Sequence, residues 1–504
     1  MTTDPSDIGK RTAIGAGWTV LMRFAVRSVG IVSTLILARL LVPADFGLVA
    51  LAMTLLALLE VMSHFNFEVF LVREPDADRS HYDTAWTLTV LRGIVIAVLL
   101  VMMAPLAAGF FNEPRLENVV YAIAALTGLV GFTNIGIVEF QKHLDFGKEF
   151  QLTVFSRLVS FLVTVTLAFV LRSYWALVIG AASAQIVKLG LSYGMHHFRP
   201  RFSVSKSREI IRFSKWLLAN DIIRFASSRA DVVILGKFFD TATLGLYSIA
   251  FEIATLAVSE IVAPINRALL AGLSKLNRER EVLLQGFLDS QSIIILLGLP
   301  IAAGIGLTAD PLVRLALGEK WLTSIPLIQI LAIVSIARVL TASSNPLILA
   351  AGQPHLTTIM ALIGSTVGLP LLIWATAQYG VTGAAWAVSG TAIFKMCVTQ
   401  TVVARAFDIK ATTIFKTVWR PLTACAVMSC VVWSYLEQWP ASDDLSGNAI
   451  ALVAASFTGA ATYGISVLAL WHISGSPRGA ESRILETFNN ATRRFWSRRL
   501  ARQG

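Results

Sequence analysis

Ionisable side chains interrupt stretches otherwise made of Leu, Val, Ile, Ala and Phe, and these are the residues whose types could do chemistry. Arg23 and Arg27 stand one helical turn apart, and Glu60, His64 and Glu68 are spaced to share one helix face. Asp221, Arg224, Arg229 and Asp231 crowd a later stretch, Glu252 and Glu260 the next, and Arg92, Arg157, Lys188, Arg338 and Lys395 punctuate others. A charge in apolar surroundings is costly, so it faces a wet cavity or an opposite charge. Arg23, Arg27, Arg92, Lys188, Arg224, Arg229, Arg338 and Lys395 are therefore candidates for holding an anion. Glu60, His64, Asp221, Glu252 and Glu260 are candidates for charge pairing or ion coupling. Arg27 with Glu60, and Arg229 with Glu252, can meet at similar depth, either as bridges that fix helix register or as part of a binding site. His64, with an ordinary pKa of about 6.5, can relay protons or simply hydrogen-bond a neighbour.

These residues need elements that cross a bilayer. Of 504 residues, 55% are hydrophobic and 14% charged, with a mean hydropathy of +0.69, a balance foreign to a water-soluble domain. Apolar runs of roughly 20 residues or more recur near 13 to 40, 45 to 72, 84 to 111, 117 to 140, 150 to 171, 174 to 197, 211 to 236, 242 to 268, 287 to 308, 321 to 345, 355 to 378, 381 to 404, 416 to 436 and 447 to 472. They are continuous, without the alternation of barrel strands, so the predicted fold is all-α: a polytopic membrane protein of about fourteen transmembrane helices.

The net charge of +11 lies on one side of that membrane, which argues against nucleic acid as its partner. Lys10, Arg11, Arg73, Arg79, Lys142, Lys148, Arg199, Arg201, Lys206, Arg208, Lys275, Arg278, Arg280, Lys410 and the tail arginines fall in alternate breaks and the termini. By the positive-inside rule both termini are cytoplasmic. The polar first twelve residues do not read as a removable signal.

Self-similarity organises the runs. A shift of 198 positions lays Ile36-Leu37-Ala38-Arg39 on Ile234-Leu235-Gly236-Lys237 and Phe46-Gly47-Leu48 on Leu244-Gly245-Leu246. A shift of 207 lays Ala176 to Lys188 on Gly383 to Lys395. The division that follows is an N-terminal lobe of six helices over 1–205, a C-terminal lobe of six over 206–410, two extra helices over 411–475, and a basic amphipathic tail over 476–504 that reads as lying in the membrane interface. Six crossings return the chain to its starting side, so the halves are parallel repeats about the membrane normal, with the substrate path expected between them. Lys188 and Lys395 occupy equivalent positions; each can snorkel to the interface or line a common cavity attractive to a diphosphate.

Several function classes drop out. There is no GxxxxGK[ST] loop, so no nucleotide hydrolysis by that route, and no soluble domain, large outer loop or paired catalytic His/Asp, so no enzyme is expected. Cys397, Cys425 and Cys430 lie within apolar runs and imply neither disulfide nor metal; no cofactor is called for.

Across nearly its whole length the chain resembles the polysaccharide transport family of oligosaccharide flippases, in the MOP superfamily that also holds MATE exporters and lipid II flippases. The resemblance is carried by Ala38-Arg39-Leu40-Leu41-Val42-Pro43-Ala44-Asp45-Phe46-Gly47-Leu48, Asp83-Thr84-Ala85-Trp86, Leu144-Asp145-Phe146, Tyr174-Trp175-Ala176-Leu177-Val178, Ala230-Asp231 and Leu244-Gly245-Leu246-Tyr247, which look like the colanic acid exporter branch. It implies a MATE-like pair of lobes in the bacterial inner membrane and translocation of undecaprenyl-diphosphate-linked oligosaccharide to the outer leaflet, for exopolysaccharide, capsule or O-antigen (lipopolysaccharide) synthesis. Membrane lipids and the polymerase and export machinery are the further partners it implies. The competing readings are a MATE-like exporter of cationic small molecules, for which the basic interior is unsuited, and a lipid II-type flippase.

Overall fold

A computed structural model describes residues 5–62, 67–74, 77–142, 145–207, 230–276, 280–439, 445–476 and 481–482. Helices dominate them: α1 (Pro5–Leu40), α2 (Pro43–Met62), α3 (Phe67–Arg73), α4 (Arg79–Phe111), α5 (Arg115–Val130), α6 (Val138–Lys142), α7 (Phe146–Leu171), α8 (Trp175–Met195), α9 (Thr241–Ala254), α10 (Ala263–Leu276), α11 (Arg280–Leu307), α12 (Ala309–Ala316), α13 (Ile325–Leu340), α14 (Ser344–Ala350), α15 (Pro354–Ala406), α16 (Ala411–Gln438) and α17 (Leu445–Ile473). Among the described residues nine helices are long and apolar enough to cross a bilayer, or up to eleven if each of two bent pairs counts as one crossing. The all-α membrane architecture stands. That count falls below the expected fourteen for identifiable reasons. The 53 residues of α15 turn at Gly380, whose φ of 68° leaves the helical region, so one long helix holds two expected crossings. Most of the run expected at 211 to 236 lies outside the described residues. The α16 stretch carries Lys416, Arg420 and Glu437 and is not among the helices apolar enough to count.

Packing divides the chain into two compact units, Met1–Ser248 and Ile249–Gly504. In the first, hydrocarbon offers no hydrophobic gain for helix association, so contact depends on small residues and interhelical hydrogen bonds. Gly93 of α4 lies against the backbone of Thr127 and Gly131 on α5. Ser160 of α7 donates to the Gly180 carbonyl of α8 at 2.7 Å. The polar entry to α4 is capped by Asp78, whose carboxylate accepts from the Ser80 hydroxyl (2.7 Å) and the His81 amide (3.1 Å); these bonds hold its carboxyl well below the usual range. After α5 the chain bends by 70°, and fully buried Asn134 pins the bend, its side-chain oxygen accepting from Gly136 and its amide donating to the Phe198 carbonyl.

In the second unit, α11 packs on α13, α16 and α17 through Ile294, Leu299, Val339, Met428, Val432 and Tyr463, whose hydroxyl donates to the Leu296 carbonyl at 3.0 Å. Broken spans here are repaired by side chains, as a membrane interior requires. The last residues of α9 lead into a π-helical turn, Val258–Val262, bent by 45°, and the buried Ser335 hydroxyl donates to the Ala254 carbonyl that the break frees. At the end of α13, Gln291 and Gln400 both donate to the Leu340 carbonyl, and Gln291 accepts from the Ser343 amide.

Candidate functional site

Each unit holds basic groups inside its spanning helices. In the first, Arg23 and Arg27 are half-buried on α1. Arg92 on α4 is half-buried, and its Nε makes no hydrogen bond among the described residues. Arg157 of α7 is exposed, and its guanidinium reaches to ordinary contact distance of Gly30 on α1. Lys188 is exposed on α8. Among the described residues no carboxylate pairs with Arg92, Arg157 or Lys188.

In the second unit, Arg338 of α13 stacks its guanidinium over the Phe251 ring, 5.6 Å from the centroid. Lys395, in the second half of α15, runs its stem across Gly364 in the first half. A Cβ at Gly364 would collide with that stem, so the bare glycine is what lets the lysine lie down between the two half-helices. Arg338 is within electrostatic reach of the Lys395 ammonium, so two positive charges gather with no carboxylate beside Lys395 among the described residues.

Lys188 and Lys395 are thus equivalent in the repeat but differently housed: one exposed, one laid across a glycine. Shifted back by 207 positions, Gly364 falls on Arg157, so the first repeat offers a second cation where the second offers room. Glu60 and Glu252 are exposed on α2 and α9. Glu260 stands exposed on the π turn and accepts from the Ser259 hydroxyl at 2.8 Å. His64, Asp221, Arg224 and Arg229 lie outside the described residues, and with them the expected Arg229–Glu252 pair.

Three features went unnoticed in the sequence. First, Gly47 and Gly245, equivalent under the 198 shift, make one reciprocal contact: a Cβ on Gly47 would strike the Thr241 carbonyl, and one on Gly245 the Pro43 carbonyl. Pro43 and Thr241 are themselves equivalent under that shift, so the contact has the form of a two-fold interface. Around it Arg115 clasps Glu113 through two bonds of 2.8 and 2.7 Å and reaches Thr241 at 3.3 Å, while Lys237 donates to the Phe110 carbonyl at 2.8 Å. The Arg115 hydrogen bonds hold the Glu113 carboxyl below its ordinary range. The shift that aligned the two Leu-Gly-Leu or Phe-Gly-Leu triplets was the available signal.

Second, buried Arg420 of α16 stands 3.1 Å from Oε1 of buried Glu481 in the tail, an ion pair by distance whose angle is not that of a hydrogen bond. Arg420 precedes a proline within an apolar run, and Glu481 is an acid in a tail rich in arginine; neither was singled out. Third, a cavity of about 610 Å³ opens in the second unit among α11, α13 and α16, with Asp310, Gln329, Trp433 and Glu437 in its wall. Asp310 is committed to Arg314 at 2.8 Å. Among the described residues no group of His, Cys, Asp and Glu is arranged to hold a metal.

The fold defines a class. It is shared with the lipid II flippase MurJ in its inward closed conformation (TM-score 0.72, 12% identity, 90% of this chain and 99% of that one) and with an inward-facing multidrug resistance MATE transporter of the MOP superfamily (0.60, 13%, 75% and 94%). Within that class, the model of the family described as polysaccharide biosynthesis protein matches residues 36–326, more than half of the chain, and the protein belongs to that family. Its relatives include the teichuronic acid biosynthesis protein TuaB of Bacillus subtilis (24% identical, 84% of this chain, 89% of that protein) and the lipopolysaccharide biosynthesis protein WzxC of Escherichia coli (24%, 65% and 68%). The succinoglycan biosynthesis transport protein ExoT of Rhizobium meliloti is another (22%, 92% and 94%).

Proposed function

We propose that this protein is a secondary transporter that flips undecaprenyl-diphosphate-linked oligosaccharide from the cytoplasmic to the outer leaflet of the bacterial inner membrane, feeding exopolysaccharide, capsule or O-antigen synthesis. The observation that carries the reading is the set of basic side chains in spanning helices without carboxylate partners among the described residues: Arg92, Arg157 and Lys188 in one unit and Lys395 in the other. Unneutralised cations in a low-dielectric interior are stabilised by an anionic ligand, and a diphosphate supplies several acceptors at once. The relatives' roles in teichuronic acid, lipopolysaccharide and succinoglycan synthesis support a glycan as the cargo. The diphosphate headgroup engages the cations, the polyprenyl tail stays in lipid, and the sugars follow the head.

Both termini lie in the cytoplasm, and the division into lobes at 1–205 and 206–410 follows the repeat; the reciprocal Gly47/Gly245 contact supports a two-fold relation between its halves. The chain is not an enzyme: it moves the glycolipid unchanged, driven by a gradient, by membrane potential or by product removal. Glu60, His64, Asp221, Glu252 and Glu260 are the groups through which an ion would couple. A cationic-drug exporter would need acidic groups to receive its cargo, and the spanning helices hold Arg92, Arg157, Lys188 and Lys395 instead. The test is a leaflet assay in sealed vesicles containing the purified protein and a fluorescent polyprenyl-diphosphate glycan. Protein-dependent arrival in the opposite leaflet is expected; none, with a folded protein, would refute the proposal.

A further inference from the structure

We infer that a groove in the second unit, bounded by the end of α13, the last turns of α15 and the first half of α16, is a site for one anionic glycerophospholipid of the cytoplasmic leaflet. The groove holds about 510 Å³, and its walls are Leu340, Met396, Phe415, Val418 and Leu422 with Arg405 at the mouth. It is open along its side, where Phe415 and Leu422 are exposed, so a chain can enter from the bilayer. The polar groups deeper in the wall are already engaged, since the Gln400 amide donates to the Leu340 carbonyl at 2.8 Å and the Thr401 hydroxyl to the Cys397 carbonyl at 2.9 Å. What remains is an apolar trough running from Arg405 to Met396, about 14 Å at the helical rise of 1.5 Å per residue, ending in one guanidinium.

The charge at and near that mouth selects the headgroup. Arg405 lines the mouth, and in the segment that follows it Lys410 and Lys416 are exposed against a single acid, Asp408. None of the three cations forms an ion pair among the described residues. Basic pockets between helices at the cytoplasmic face are where anionic headgroups settle, and the apolar walls above accept the acyl chain. A zwitterionic lipid would bring an ammonium into this excess of positive charge and be disfavoured. The inference rests on the membrane embedding and orientation given above and not on the glycan, so either can fail without the other.

Native mass spectrometry of the full chain, released from nanodiscs of phosphatidylcholine doped with phosphatidylglycerol, tests it. One phosphatidylglycerol is expected to stay bound to the parent in preference to phosphatidylcholine. Arg405→Ala should weaken its retention about fivefold, the factor one basic residue contributes beside an anionic lipid surface. Ala404→Phe, which keeps every charge and fills the trough, should abolish retention. Arg201→Ala, an exposed cation of the first unit, should leave it unchanged. Equal retention of phosphatidylcholine and phosphatidylglycerol, or undiminished retention in either groove variant, would overturn the site. So would displacement of phosphatidylglycerol by substoichiometric polyprenyl diphosphate, which would mark the groove as a substrate site.

Discussion

Lys395 depends on a residue with no side chain. Because its stem crosses Gly364, Gly364→Val should push the ammonium away from Arg338 while leaving Lys395 in the sequence. If Lys395 binds the diphosphate, that variant should lower transport by about tenfold, the scale of one lost charge-assisted contact, and Lys395→Ala should do the same. Lys188→Ala with Lys395→Ala should lower it further than either alone. A Gly364→Val protein that transports at the parent rate while Lys395→Ala does not would show that the position of the ammonium is immaterial. The tail offers a second residue-scale prediction. Glu481→Ala strands Arg420 in a buried setting and should cost about 3 kcal/mol of stability, whereas Arg420→Met with Glu481→Ala, which removes both charges, should cost less than Glu481→Ala alone. Thermal unfolding in detergent of these two variants, of Arg420→Met alone and of the parent completes the cycle.

At the scale of elements, the contact of α2 with the start of α9 has no slack. A methyl group at Gly47 or Gly245 meets a backbone carbonyl, which cannot rotate away, so Gly245→Ala must separate the two helix ends. A cysteine placed at Thr241 should then react faster with an impermeant maleimide added outside than it does with Gly245 intact; equal rates would mean the contact is not a seal. The neighbouring Glu113–Arg115 clasp makes this region pH-sensitive in a stated direction. Glu113 titrates below its unfolded value, so its contribution is present above the unfolded pKa and is lost as pH falls through the folded one. The stability difference between the parent and Glu113→Gln should therefore shrink as pH is lowered below about 4.5, as melting curves from pH 7 to pH 3 would record. A difference that grows on acidification would invert the assignment.

For the whole molecule, what could be read in advance was whatever the bilayer dictates. Runs expected at 355 to 378 and 381 to 404 flank the turn at Gly380, and the run from 84 sits inside Arg79–Phe111, because apolar length is a direct demand of hydrocarbon thickness. The run expected from 45 to 72 is helical on both sides of residues 63–66, which lie outside the described residues. The basic residues were legible as costly, but their surroundings were not. Nothing in the periodicity tells that Lys395 has a glycine beneath it, or that Arg420 has its counter-charge 61 positions away in the tail. Those facts belong to packing, and glycine is the residue type whose role is least visible from its own chemistry.

The central claim of the proposed function is that cations inside the bilayer receive an anionic lipid carrier. The most direct measurement is the rate at which a labelled polyprenyl-diphosphate oligosaccharide changes leaflet in vesicles bearing the parent protein, compared with vesicles bearing Lys188→Ala with Lys395→Ala. The account predicts rapid, protein-dependent movement in the first and a loss of at least tenfold in the second, with both proteins equally folded. Equal rates in the two would contradict it.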